Sequence, residues 1–231
     1  MTELTFKQKL CSFILKIIII LSAIIGIILS ANASSTEFMG GGSVFMYFTI
    51  QSNILIALIS FIGLIMMVLK VNIKYYWHVI KFVGTISITL TGVVFTVVLA
   101  PTLGSGAWVL SNVLTHVVVP LASIIDFFIV EISYKIKKRD IIFVIIPPLL
   151  YAIYAGIGYA LNFEFSKDTN YPYFFLNWGS KAGAIGFSNE LPFMGPVWWI
   201  IILLAFLILI GFCYLKIIDL IQKKRNNKNE A

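Results

Sequence analysis

Charge is scarce in this sequence. Only 12% of its 231 residues are Asp, Glu, Lys or Arg, roughly half of the about 25% usual in a soluble domain. So little polar surface does not cover a water-soluble globule, and a 60% hydrophobic fraction asks for hydrocarbon as solvent. Cysteine and histidine are nearly missing, with two of each. Cys11 and Cys213 show no CxxC or zinc-ligand spacing, and read as inert thiols buried as small hydrophobes. No carboxylate–histidine cluster and no glycine-rich phosphate loop is present, so no metal, nucleotide or other cofactor is implied. A net charge of +7 raises nucleic acid as a partner. The Lys and Arg residues sit in short clusters between apolar runs, however, which marks them as topology signals and excludes that partner.

What the sequence does contain is long apolar runs. Six windows reach the ~20 residues a spanning helix needs: Leu10–Ser30, Val44–Leu69, Tyr76–Leu99, Ala107–Val130, Ile141–Leu161 and Val197–Leu215. Helix is the expected form, because a spanning segment must satisfy its own backbone hydrogen bonds. The predicted fold class is therefore all-α, a polytopic bundle of six transmembrane helices. Residues 1–221 form one transmembrane domain, and 222–231 form a basic tail expected to be disordered. Fifteen of the seventeen Lys and Arg residues flank one side of these spans, leaving Lys167 and Lys181 on the other. The positive-inside rule makes the basic side cytoplasmic, with both termini inside. Glu37, Glu164, Asp168 and Glu190 fall on the opposite side.

Residues Lys7 to Ser34 carry a competing signal. A basic start, an apolar run and Ala31-Asn32-Ala33 resemble a signal peptide. The spanning length of the run, with Lys16 inside its start, favours an uncleaved span. The connector Pro101 to Gly106 reads as a tight turn. Asn162 to Pro196 is the one long connector, dense in aromatics, and fits either an interfacial belt with partial re-entrant packing or a lid. Pro147-Pro148 predicts a bend in the fifth span.

Polar residues inside the spans carry the functional signal, since hydrocarbon offers them no partner. Thr49, Gln51, Ser52 and Asn53 open the second span, with Thr49 and Asn53 on one face. Asn112, Thr115 and His116 lie in the fourth, with Asn112 and His116 on one face. Both sets fall in the outer leaflet. A hydroxyl beside an imidazole makes an activated nucleophile, and Asn112, Asn53 or Gln51 are candidate donors to an oxyanion. Interhelical hydrogen bonding explains the same residues without chemistry. His78 reads as interfacial. Asp126, ten residues beyond His116, is too far to pair with it and is expected to cap, snorkel or pair with a basic-side Lys. The Thr85, Thr89 and Thr96 series reads as helix packing. Paired intramembrane carboxylates of the kind used in proton relays are not evident.

Tyr47-Phe48-Thr49-Ile50-Gln51-Ser52-Asn53 and Asn112-Val113-Leu114-Thr115-His116-Val117-Val118-Val119-Pro120 resemble the two motifs of a bacterial group. Its members are six-pass membrane proteins of unassigned function with a Phe-Thr-x-x-Ser-Asn start and an Asn-x-x-x-His-x-x-x-Pro helix. More distantly the chain resembles the androgen-inducible transmembrane threonine hydrolases, which cleave fatty-acid esters of hydroxy fatty acids. The resemblance implies Thr49 as nucleophile, His116 as base and a bacterial cytoplasmic membrane as location. The expected function is an intramembrane lipid esterase, with membrane lipids and an acyl-ester substrate as partners, and Asn53, Asn112, Gln51 and Ser52 orienting. A small-molecule binding or transport protein and a non-catalytic scaffold are the alternatives. The oligomeric state is not legible.

Overall fold

A computed structural model describes residues 4–34, 39–131 and 136–229. Glu37 and Lys135, counted above for orientation, and the last two residues of the expected tail lie outside this range. Six helices are long and apolar enough to cross a membrane: Phe6–Asn32, Phe48–Val68, Tyr75–Trp108, Leu110–Val130, Lys138–Ala160 and Pro196–Lys224, the last continuing to Asn229. They are called the first to sixth helices. The protein is an all-α, six-pass membrane bundle. Its two ends are distinguished below as the basic end and the loop end, the latter carrying the 161–195 connector.

The first helix begins on a capping box, with Thr5 accepting from the Gln8 backbone and Gln8 accepting from the Thr5 backbone. It is inside-out relative to a soluble helix. Ser12, Lys16, Ser22, Gly26 and Ser30 are buried, while Ile14, Leu21, Ile24 and Ile28 are exposed to the apolar surroundings. Small and polar residues belong inward here, since the hydrocarbon already solvates Ile and Leu. This face packs against the second and fourth helices. The third helix is the most enclosed, with 67% of its 18-residue apolar stretch buried. Thr89 on it meets the Tyr214 hydroxyl of the sixth helix at 2.9 Å, in keeping with a packing role.

Several boundaries differ from expectation. The second helix starts at Phe48, because Gly42–Met46 forms a 3-10 turn. The Pro101–Gly106 connector is no simple turn: helix runs to Leu103, and a 3-10 segment covers Gly104–Trp108. Pro147 and Pro148 open the α-helical part of the fifth helix, after a 3-10 segment over Lys138–Ile145. First-turn positions tolerate proline, whose missing N–H would be an orphan there anyway. Helix also covers 222–229, where a disordered tail was expected. Gln, Lys and Arg are good helix formers, and a helix leaving the membrane has no need to stop at the interface. Cys11 and Cys213 are exposed on the bundle surface, not buried. Each lies on a helix face whose apolar neighbours also point outward.

The long connector does two things. Its first half folds down onto the bundle, burying Phe165, Tyr173, Phe175 and Leu176 against Val44, Tyr47 and Phe95. Tyr47 donates to the Phe165 carbonyl at 3.1 Å, pinning the strap. Its second half exposes Ile185, Phe187, Leu191 and Phe193, as an interfacial belt would. Trp198 and Trp199 tie that half back through hydrogen bonds to the carbonyls of Ile185 and Pro192.

Candidate active site

Thr49 is the second residue of the second helix, so its backbone N–H has no partner within the helix. Tyr173 supplies one: the Thr49 N–H donates to the tyrosine hydroxyl at 3.3 Å. The Thr49 side chain faces the fourth helix, and its hydroxyl lies 3.3 Å from His116 Nε2. Tyr173 Oη is 3.4 Å from the same hydroxyl. All three residues are buried, with Thr49 at 4%, His116 at 2% and Tyr173 at 6% exposure.

His116 is held by its own helix. Nδ1 lies 3.0 Å from the Asn112 carbonyl, which only accepts, so Nδ1 carries the proton. Thr115 Oγ1, 3.1 Å from Nδ1, spends its own proton on the Ser111 carbonyl and is a second acceptor. Nε2 is left with a lone pair aimed at Thr49. The Phe95 ring stacks on the imidazole, centroids 3.8 Å apart and planes 18° apart.

Two π-helical turns bracket this contact, Phe95–Leu99 and Leu114–Val118. Pro120 has no N–H for the His116 carbonyl four residues earlier, and Val119 bonds instead to Leu114, five residues back. Pro101 likewise offers no donor to Val97, and Thr96 bonds its hydroxyl back to the Gly92 carbonyl at 2.5 Å. The widened turns set the two rings face to face. Gly92 allows the helices to approach, since a Cβ there would stand 3.0 Å from the His116 carbonyl oxygen.

The other expected site residues divide. Asn53 is fully buried and donates to the carbonyls of Thr49 and Thr115, at 2.8 and 3.1 Å. It clamps the two helices together behind the contact and does not face it. Asn112 spends its amide on the Ala107 carbonyl, so its backbone, not its side chain, serves His116. Ser52 bonds Thr91 at 2.7 Å, joining the second and third helices. Gln51 is exposed and donates to the Phe45 carbonyl. Helical spacing put these side chains near the right level, but rotation about the axis sends them elsewhere. Tyr173 is the site residue that span-by-span reasoning missed. Its only signal was the Tyr171-Pro172-Tyr173 triplet in the long connector. Burial pushes the Tyr173 phenol above its usual range, against the opposing hydrogen bonds from Thr49. It therefore remains a neutral donor.

An apolar cavity of about 60 Å³ touches Thr49, Tyr173 and Phe175, and runs between the second, third, fifth and sixth helices past Leu90, Tyr151 and Leu203. A second cleft of about 400 Å³ shares Phe48 and Tyr151 with it and carries Gln51 and Ser52 on its wall.

A different polar assembly occupies the basic end. Asp126 accepts from Ser12 at 2.5 Å and from Lys16 at 2.8 Å on both oxygens, and Lys81 lies 2.8 Å from Oδ2. Glu131 lies 3.9 Å from Lys81 and 2.7 Å from His78 Nδ1. Asp126 thus pairs with basic-side lysines, as one of its expected roles had it. His78 is buried, with Nδ1 2.7 Å from Glu131, instead of sitting at the interface. Two carboxylates do share one intramembrane lysine, which spacing had not suggested. Compared with known protein families, curated proteins and solved structures, the chain matches none.

Proposed function

We propose that the protein is an intramembrane lipid esterase with Thr49 as nucleophile and His116 as general base. The observation that carries this reading is the Thr49 hydroxyl 3.3 Å from an imidazole nitrogen whose tautomer is fixed from behind. Resting pairs of this kind are commonly long and tighten with substrate. An acyl chain would lie in the apolar cavity beside Thr49, which favours lipid esters over polar ones.

In the first step Thr49 Oγ1 bonds to the acyl carbon as its proton passes to His116 Nε2. The carbonyl oxygen becomes an oxyanion. Tyr173 Oη and the Thr49 N–H, at the positive end of the second helix, are the donors nearest to it. The carbon–oxygen bond to the leaving alcohol then breaks, and that oxygen takes the proton from Nε2. Water, deprotonated by the same nitrogen, attacks the acyl-threonine. The fatty acid leaves and the threonine hydroxyl is restored.

The test is hydrolysis of long-chain acyl esters by purified protein in nanodiscs, with mass spectrometry of the trapped acyl-enzyme. Acylation mapped to Thr49, and lost in Thr49→Ala and His116→Ala, is the expected result. Ester turnover at parental rate by either folded variant overturns the assignment.

A further inference from the structure

A cavity of about 440 Å³ at the basic end lies between the first four helices, beneath the 69–74 turn. Its inner wall is the ion cluster. Two charged groups there retain unused hydrogen-bonding capacity. Lys81 Nζ is paired with Asp126 Oδ2 at 2.8 Å and lies 3.9 Å from Glu131, which leaves part of its three-donor capacity unused. Glu131 Oε1 has no hydrogen-bond partner among the described residues. Both side chains are more than nine-tenths buried, at 7% and 1% exposure, and both line the cavity. Burying charged groups whose hydrogen-bonding capacity is not fully used is costly, so a ligand that completes that capacity is favoured.

Four lysines line this cavity, Lys9, Lys16, Lys70 and Lys81, against the two acids Asp126 and Glu131. The cavity therefore carries an excess of two positive charges. Lys16 is already saturated by Ser12 and Asp126. Lys81 in the interior keeps donors beyond its pairing with Asp126, and Lys9 and Lys70 stand on exposed positions at the mouth, so these three can meet an anion. Ile59, Met66 and Trp77 give the walls an apolar stretch.

We propose that this cavity binds the phosphate monoester of a hydroxylated molecule. A phosphate monoester carries about −1.5 to −2 charge near neutral pH, which matches the lysine excess. Lys81, Lys9 and Lys70 hold the phosphate oxygens as point charges. Glu131 Oε1 accepts from a hydroxyl of the ligand. The same chemistry occurs in soluble glycerol 3-phosphate and in the headgroup of 1-acylglycerol 3-phosphate from the adjacent leaflet.

Calorimetry on the full chain distinguishes these sources. Glycerol 3-phosphate is titrated into detergent-solubilised protein, and 1-oleoylglycerol 3-phosphate into protein in neutral-lipid nanodiscs, with glycerol and 1-oleoylglycerol as uncharged counterparts. Binding of the soluble phosphate assigns the soluble source, and binding of the acylated one alone assigns the lipid. Lys9→Gln with Lys70→Gln, both on the surface, is expected to weaken binding about five-fold per lysine. Lys81→Met removes binding and Lys81→Arg keeps it. If Lys81→Met does not fold, the surface pair decides. The proposal is overturned if neither phosphate binds, if the uncharged counterparts bind as well, or if the surface pair leaves affinity unchanged.

Discussion

The two buried polar assemblies of this bundle are built on different terms. At the loop end, Thr49, His116 and Tyr173 are neutral groups joined by long hydrogen bonds of 3.3 and 3.4 Å, with the His116 ring covered by Phe95. At the basic end, Lys16, Lys81, Asp126 and Glu131 are charged and draw the first, third and fourth helices together, through 2.8 Å contacts at Asp126 and a 3.9 Å one at Glu131. Removing a buried neutral group costs the cavity it leaves and any partner it strands. Removing one charge from a matched set strands its partner in a low-dielectric interior. The basic-end cluster is thus expected to weigh more on stability than the loop-end site.

The sharpest break of this comparison comes at Thr49 and His116. Replacing either with Ala is expected to lower ester turnover about 10³- to 10⁴-fold. Thr49→Ala should unfold near the parent and His116→Ala, which empties the space against Phe95, somewhat below it, so a loss as large as that of Asp126→Ala would erase the contrast. At the other end, Asp126→Ala should destabilise by about 3–5 kcal/mol, because Lys16 and Lys81 lose their shared counter-charge. Denaturation in mild detergent reads this directly, and an unchanged midpoint would reduce the cluster to an incidental contact.

Tyr173→Phe sharpens the loop-end side. It removes one phenolic donor while keeping the ring packed against Phe175, with centroids 5.1 Å apart. Turnover should fall about 10²-fold with substrate affinity little changed, as for other single oxyanion donors. A rise in KM alone would make Tyr173 a packing residue. The smallest effect is expected at Gln51. It is exposed and faces a loop carbonyl, so Gln51→Ala should alter stability by no more than about 0.5 kcal/mol and leave activity intact. A strong loss of turnover there would move the site toward the second cleft.

How much of this was legible along the chain depended on the distance over which each cause acts. The six spans were legible because hydrophobicity accumulates over about 20 residues regardless of neighbours. Thr49 and His116 stood out because polar residues in a span are conspicuous one at a time. The roles of Gln51, Ser52 and Asn112 were not legible. Each points wherever its helix is rotated, and that rotation follows from packing, such as the close approach at Gly92. Tyr173 lay hidden because it reaches Thr49 from 124 residues away. Lys16 and Lys81 looked like topology signals, since a basic residue near a span end ordinarily snorkels to the interface. Only with the helices assembled does Asp126 stand between them.

By itself, then, the sequence determined that the chain lives in hydrocarbon, crosses it six times and spends its few polar residues at particular depths. These are properties of composition and local run length, and no tertiary contact alters them. The tertiary structure alone decided which polar groups meet. Helix rotation, two π turns forced around Pro101 and Pro120, and a folded-in connector bring Thr49, His116 and Tyr173 to one point. Packing of the first, third and fourth helices closes the ion cluster.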